Sequence, residues 1–306
     1  MKITWKGVYP AVTTKFKTNG KLDIPTYQMN INAQIEAGVD AIILGGSLGE
    51  SSTLTQKERV KLCKANLEVA DGRVPTIVNI AEGSTKDAVK MAKKAQKAGA
   101  HGLMLLPPMM YKPTDEETTL HLRTVAENTD LPIVLYNNPV DYKIEIKLKM
   151  FDELIQLDNI QAVKESTRDI SNVTRLRNTF GDRLNILCGV DTLALEELLM
   201  GADGWIAGLV DAFPAETVAI YRLAKAGRID EALKIYRWFL PILELDISPQ
   251  LVQNIKLAEV MTGLGTETVR LPRVPLQGTE RQRVIKILEE GLANRPELPD
   301  YLSIKV

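Results

Sequence analysis

The chain has 306 residues, of which 45% are hydrophobic and 25% charged, the make-up of an ordinary globular enzyme; disorder and fibrous repeats are excluded. Thirty-eight Lys and Arg against thirty-nine Asp and Glu leave a formal charge of −1, so nucleic acid and membrane surfaces are not expected partners. No apolar run approaches a bilayer span, and Met1-Lys2-Ile3-Thr4-Trp5-Lys6 has no signal-peptide core. Cys63 and Cys188 are the only cysteines, which weighs against a disulfide scaffold and predicts a cytoplasmic protein. His101 and His121 are the only histidines, and neither CxxC nor HExxH occurs. A zinc centre and a Ser-His-Asp triad both start at poor odds, and no metal is expected.

Short apolar runs rich in β-branched residues alternate with stretches of helical period. The expected strands are Gly7–Thr13, Ala41–Leu44, Thr76–Ile80, Gly102–Leu106, Pro132–Tyr136, Ile160–Glu165, Asn185–Cys188 and Gly204–Ala207. The expected helices between and after them are Ile24–Ala37, Thr55–Ala70, Thr85–Ala98, Asp115–Asn128, Ile146–Leu157, Val173–Phe180, Thr192–Met200 and Pro214–Ala226. Parallel neighbours need such crossovers, and strands apolar throughout suit a sheet covered on both faces. Gly38, Gly99 and Gly201 each follow a helix just before a strand, where a left-handed cap is expected. The fold class expected is therefore α/β, a (β/α)8 TIM barrel with a C-terminal helical extension; an open sheet is the competitor. The barrel is expected over residues 1–227. A helical domain is expected over 228–306, built on Ile229–Leu245, Ser248–Thr262 and Glu280–Glu290, and covering the barrel or an oligomer contact rather than holding chemistry.

In such a barrel the reactive groups gather at the carboxyl ends of the strands. Lys164 ends the apolar strand Ile160–Glu165; buried among hydrophobic walls it would favour the neutral amine that attacks a carbonyl. A solvated strand-end lysine is the competing reading. After the second strand, Gly45-Gly46-Ser47-Leu48-Gly49-Glu50 offers convergent backbone N–H groups and a hydroxyl to an anion, or is only a tight turn. Tyr136, in Tyr136-Asn137-Asn138-Pro139, can move a proton or simply pack. Cys188 reads as an inert buried thiol, His101 lies on the non-catalytic side, and Glu50 is placed to orient the Gly-rich loop.

Taken in order with the opening Gly7-Val8-Tyr9-Pro10-Ala11-Val12-Thr13-Thr14, the strand ending Lys164-Glu165, and Cys188-Gly189-Val190-Asp191, these motifs resemble the dihydrodipicolinate synthase and N-acetylneuraminate lyase family of Schiff-base barrel enzymes. The resemblance covers nearly the whole chain. It implies that Lys164 forms an imine with a 2-keto acid, that Tyr136 donates and accepts the proton, and that Ser47 with Gly46, Leu48 and their N–H groups holds the carboxylate. It also implies that Gly189 and Asp191 contact the distal part of the substrate, that no cofactor is needed, and that the assembly is a homotetramer built from dimers.

Three departures from the synthase pattern bear on substrate. Leu48 replaces a hydroxyl in the Gly-rich loop. Met110 stands where a tyrosine lent by the neighbouring subunit belongs, with Tyr111 one place on. Val140-Asp141-Tyr142 stands where an arginine binds the second substrate's carboxylate. A carboxylate at Asp141 would repel another acid group and favour an amine or hydroxyl, unless it is a solvated turn residue. The expected reaction is dehydration and deamination of a small 2-keto or cyclic 2-imino acid. The most concrete candidate is 1-pyrroline-4-hydroxy-2-carboxylate of hydroxyproline breakdown, giving 2-oxoglutarate semialdehyde and ammonia. The alternatives are a pyruvate-releasing aldolase of a sugar-derived keto acid or of N-acetylneuraminate, dihydrodipicolinate synthesis, and a non-enzymatic ligand-binding barrel.

Overall fold

The computed structural model describes residues 1–306. Eight parallel strands close on themselves in sequence order: β1 Gly7–Val12, β2 Ile42–Leu44, β3 Thr76–Ile80, β4 Gly102–Leu105, β5 Ile133–Asn137, β6 Ile160–Glu165, β7 Asn185–Cys188 and β8 Gly204–Ala207. Closure is carried by β1 and β8, paired from Gly7 with Gly204 to Pro10 with Ala207. The (β/α)8 barrel expected from counting strands is therefore present, and the open sheet is not. Every strand lies within two residues of its expected bounds.

Helices return the chain between strands: α1 Ile24–Glu36, α2 Gln56–Ala70, α3 Thr85–Ala98, α4 Asp115–Ala126, a single turn α5 Pro139–Tyr142, α6 Leu148–Leu154, α7 Ser171–Phe180, α8 Ala194–Leu199 and α9 Pro214–Lys225. Helix α3 shows how local chemistry sets them. Ala88, Met91, Ala92 and Ala95 recur at helical spacing and are buried, while the Ser84 hydroxyl accepts from Asp87 N–H at the start. Gly99 ends the helix at φ +96°, and Gly38 and Gly201 take φ +90° and +103° at the equivalent junctions. Helix α6 is shorter than its apolar pattern suggests. Asn137, at the tip of β5, receives Ile146 N–H at 2.9 Å, which holds the incoming chain away from helical geometry.

Two apolar regions result. The barrel interior is filled by side chains such as Tyr9, Ile43, Ile77, Met104, Leu187 and Ile206. Trp5 plugs the amino end, its indole N–H donating to Gln161 at 2.9 Å. The outer region packs strands against helices and continues without a break into α10 Ile229–Leu243, α11 Leu251–Met261 and α12 Gly278–Ala293, through Ile235, Phe239, Ile255 and Leu288. The tail helices thus share the barrel's outer core. No helix is long and apolar enough to cross a membrane.

Closure leaves no room between β1 and β8. A Cβ on Gly204 would stand 2.7 Å from the Gly7 carbonyl oxygen, and that partner is backbone. Gly204→Ala is expected to lower the unfolding free energy by about 1–3 kcal/mol, read as a shifted urea midpoint.

Candidate active site

Inward-facing positions on β6 alternate, so Ala162 points into the barrel and Lys164 follows it to the mouth. On the adjacent strand Tyr136 is its register partner, and the Lys164 ammonium nitrogen lies 4.2 Å from the tyrosine ring centroid. Lys164 is only 7% exposed. Burial pushes its pKa down, partly opposed by the acidic groups Tyr142, Asp246 and Asp191. Two other buried lysines are each bonded to a carboxylate: Lys15 to Glu259 at 2.9 Å and Lys256 to Glu50 at 2.5 Å. Lys164 has no bonded carboxylate, so desolvation favours its free amine. Gly189 makes room for it, since a Cβ there would stand 2.7 Å from Lys164 Cγ and 2.8 Å from Cε.

The hydroxyls beside the lysine come from β5 and the turn after it. The Tyr136 hydroxyl accepts from Asn138 Nδ2 at 3.1 Å, and burial pushes its pKa up to about 12. Asn138 also caps α5, its side-chain oxygen accepting from Asp141 N–H, with Pro139 supplying the fixed φ of the first position. That single turn swings Tyr142 back into the barrel mouth. Its ring meets Tyr136 edge to face at 5.5 Å, and its hydroxyl is hydrogen-bonded to Ser47 Oγ. Tyr142 was not singled out from the sequence, although it sits in the same tripeptide as Asp141. Met110 and Tyr111 are largely exposed. The second tyrosine hydroxyl at this mouth is Tyr142, from the same chain.

The Gly-rich loop follows β2. Gly45 takes φ +67°, which only glycine adopts freely, and Asn79 Nδ2 donates to its carbonyl at 3.0 Å. Gly46, Ser47 and Leu48 line the cavity, and the N–H groups of Ser47 and Leu48 make no backbone hydrogen bond. Glu50 locks the loop from behind. At φ +57°, its carboxylate receives Lys256 from α11 at 2.5 Å and Arg270 N–H at 3.0 Å. The expectation that Glu50 orients this loop is met by a contact reaching into the tail.

Helices α10 and α11 are shorter than their periodicity suggests, because residues 244–250 form a turned link. Asn254 Nδ2 holds it by donating to the Leu245 carbonyl at 3.0 Å. The link and the start of α11 bring Asp246, Ile247 and Leu251 to the cavity wall. The tail, expected to cover the barrel or an oligomer contact rather than hold chemistry, thus also lines the cavity. Asp141 also lines the cavity, half exposed, with Arg168 at 3.6 Å. The enclosed space is about 180 Å³.

Asp191 is placed differently from the family expectation of substrate contact. It is 1% exposed, does not line the cavity, and accepts from Trp205 Nε1 at 2.9 Å, Gly208 N–H at 3.1 Å and Leu209 N–H at 2.8 Å. Its carboxylate ties the ends of β7 and β8 together. The Cys188 thiol is likewise buried and bonded to the Val190 carbonyl, and burial raises its pKa.

The family model described as "Dihydrodipicolinate synthetase family" matches residues 4–291. The chain is 32% identical over 289 residues to the 4-hydroxy-tetrahydrodipicolinate synthase of Geotalea uraniireducens, covering 94% of this chain and 98% of that one. It is 33% identical to the enzyme of the same name from Methanococcus maripaludis, over 87% of this chain and 92% of that one. Among solved structures, the synthase from Methylacidiphilum fumariolicum SolV superposes with TM-score 0.90 at 29% identity, over 94% and 96% of the two chains. The dihydrodipicolinate synthase from Acinetobacter baumannii, solved in complex with pyruvate, gives 0.88 at 27% identity, over 94% and 99%. With the match running through all eight strands and on into the tail, the chain belongs to the dihydrodipicolinate synthetase family.

Proposed function

We propose that the protein is a lysine Schiff-base lyase that dehydrates and deaminates a small hydroxylated cyclic 2-imino acid, with 1-pyrroline-4-hydroxy-2-carboxylate as the best-fitting substrate. In this reading Lys164 attacks C2, which bears the ring imine or a keto group, and forms a protonated imine. That imine is an electron sink: it acidifies C3 and stabilises the enamine left when the C3 proton departs. Tyr136 and the Tyr142–Ser47 pair move that proton, and the loop N–H groups of Ser47 and Leu48 hold the substrate carboxylate. Opening the ring frees an amine toward Asp141. Ammonia leaves by hydrolysis after water is lost from C4, and the product is 2-oxoglutarate semialdehyde.

The observation that carries the choice of substrate is the sign of charge at the distal wall. Asp141 lines it, and the single cation there besides Lys164 is Arg168, already beside Asp141 at 3.6 Å. A substrate with a second carboxylate would meet like charge; an amine or hydroxyl would not. A space of about 180 Å³ also suits a five-carbon acid better than a long sugar acid.

A second reading has its own support. The relatives named above are 4-hydroxy-tetrahydrodipicolinate synthases, and one was solved with pyruvate. Arg168, half exposed at the mouth, is the group that would serve a second carboxylate here. Assaying ammonia and semialdehyde from the cyclic imino acid against formation of 4-hydroxy-tetrahydrodipicolinate separates the two. The homotetramer implied by the family stays part of the proposal, and one solved relative is described as a monomeric variant.

Borohydride with pyruvate is expected to add the reduced adduct at Lys164, seen by peptide mass spectrometry, and Lys164→Arg is expected to abolish both adduct and turnover. An adduct that persists in the arginine variant would place the nucleophile elsewhere. Tyr142→Phe is expected to slow turnover about 100-fold while leaving adduct formation intact. Asp141→Ala is expected to raise KM for the cyclic imino acid by about tenfold or more through loss of a charged hydrogen bond. An unchanged KM and rate would remove Asp141 from the substrate-binding set.

A further inference from the structure

Asp246 is unlike the other carboxyl groups of the site. Its backbone is anchored, N–H to the Leu243 carbonyl at 3.0 Å, yet its carboxyl makes no hydrogen bond within the chain and lines the cavity. Glu50, Glu165, Asp191 and Glu259 are all held by protein donors. The barrel makes space for it. A Cβ on Gly208, just beyond β8, would stand 2.7 Å from Asp246 Oδ1, with Ile255 Cδ1 and Leu48 Cδ2 on its other sides. An unpartnered carboxyl reaching the same cavity as the lysine, through a gap that a bare glycine leaves open, is arranged for a ligand.

Resting on the dehydration reading, we propose that Asp246 is a catalytic residue, the acid that protonates the departing C4 hydroxyl of the lysine-bound substrate. Substrate tethered through C2 to Lys164 on β6 extends across the cavity toward the tail, which carries Asp246. The tyrosine hydroxyl that gave its proton to the departing ring nitrogen is left as a phenolate and takes the C3 proton; the C3–H electron pair forms C2=C3, while the C2=N pair moves to nitrogen. In the next step the nitrogen pair restores C2=N and the C2=C3 pair moves to C3=C4. The C4–O bond breaks with its pair going to oxygen, and Asp246 O–H transfers its proton to that oxygen. Water leaves, and the Asp246 carboxylate regains a proton from solvent at the mouth.

The surroundings keep the acid protonated at neutral pH. Burial is the main cause, with the Asp191 and Asp141 carboxylates adding to it and Lys164 and Arg168 opposing, and together they push the Asp246 carboxyl up to about 8. Tyr136 and Tyr142 face the same space as neutral phenols, since burial raises both of their pKa values. The acid form is therefore present below about pH 8 and is lost as pH rises through that value.

The test compares two reactions of the intact enzyme. Hydrogen–deuterium exchange at the pyruvate methyl group reports imine and enamine formation, which need no leaving group; ammonia release from the hydroxylated cyclic imino acid reports dehydration. Asp246→Asn is expected to cut ammonia release about 100-fold or more while keeping pyruvate exchange within about threefold. Wild-type ammonia release is expected to fall above about pH 8, with that alkaline limb absent from the residual rate of Asp246→Asn, and Asp246→Glu is expected to restore part of the rate. The role of Asp246 is overturned if Asp246→Asn releases ammonia like wild type, keeps the alkaline limb, or loses exchange and dehydration together. If wild type exchanges pyruvate but releases no ammonia from any hydroxylated imino acid, the dehydration reading itself fails and this role with it.

Discussion

The site depends on one amine kept out of water without a counter-charge. Transferring an ammonium into a hydrophobic mouth is costly, and a protein normally offsets the cost with a bonded carboxylate, as Lys15 and Lys256 illustrate in this chain. At Lys164 the partner is withheld: an aromatic face lies beneath the nitrogen, and the carboxyl groups around it act without bonding it. A carboxylate that acts on it, Asp191, is committed to the indole of Trp205 and the N–H groups after β8. An amine left in that state relieves its desolvation by losing a proton, and the free amine is the form that the proposed imine chemistry requires.

Everything else at the mouth is positioned relative to that nitrogen by elements of different kinds. Strand register sets Tyr136 beside it, because neighbouring parallel strands put those two residues at one level. A single helical turn sets Tyr142 and Asp141. The tail sets two more features: Lys256 fixes the Gly-rich loop through Glu50, and the link before α11 places Asp246. The barrel supplies the reacting group, while the segments outside the sheet shape what it reacts with.

How far the sequence reveals this follows from the range of the interactions involved. Strand bounds are legible because a fully buried strand is a short apolar run and some helices are punctuated locally, as Ser84 and Gly99 do for α3. Lys164, Tyr136 and Ser47 are legible because they lie at or just after strand ends, where a barrel gathers its reactive groups, and because their motifs resemble those of the family. Tyr142 is not, since one turn of helix has no period and reads as loop. Asp246 is harder still: its place depends on α10 and α11 folding back over the barrel, and on Gly208, 38 residues earlier, having no side chain. Asp191 marks the opposite limit. Its position after β7 follows from the sequence, but the direction of its carboxylate is set by an indole on the next strand.

The pairing of Tyr142 with Ser47 has a consequence for how such an enzyme can diversify. A relay completed by a neighbouring molecule ties chemistry to quaternary structure, so mutations at the contact are judged twice. Here both hydroxyls and the lysine belong to one polypeptide. If that relay carries the chemistry, its upkeep asks nothing of a subunit contact, and changes at such a contact are judged on association alone.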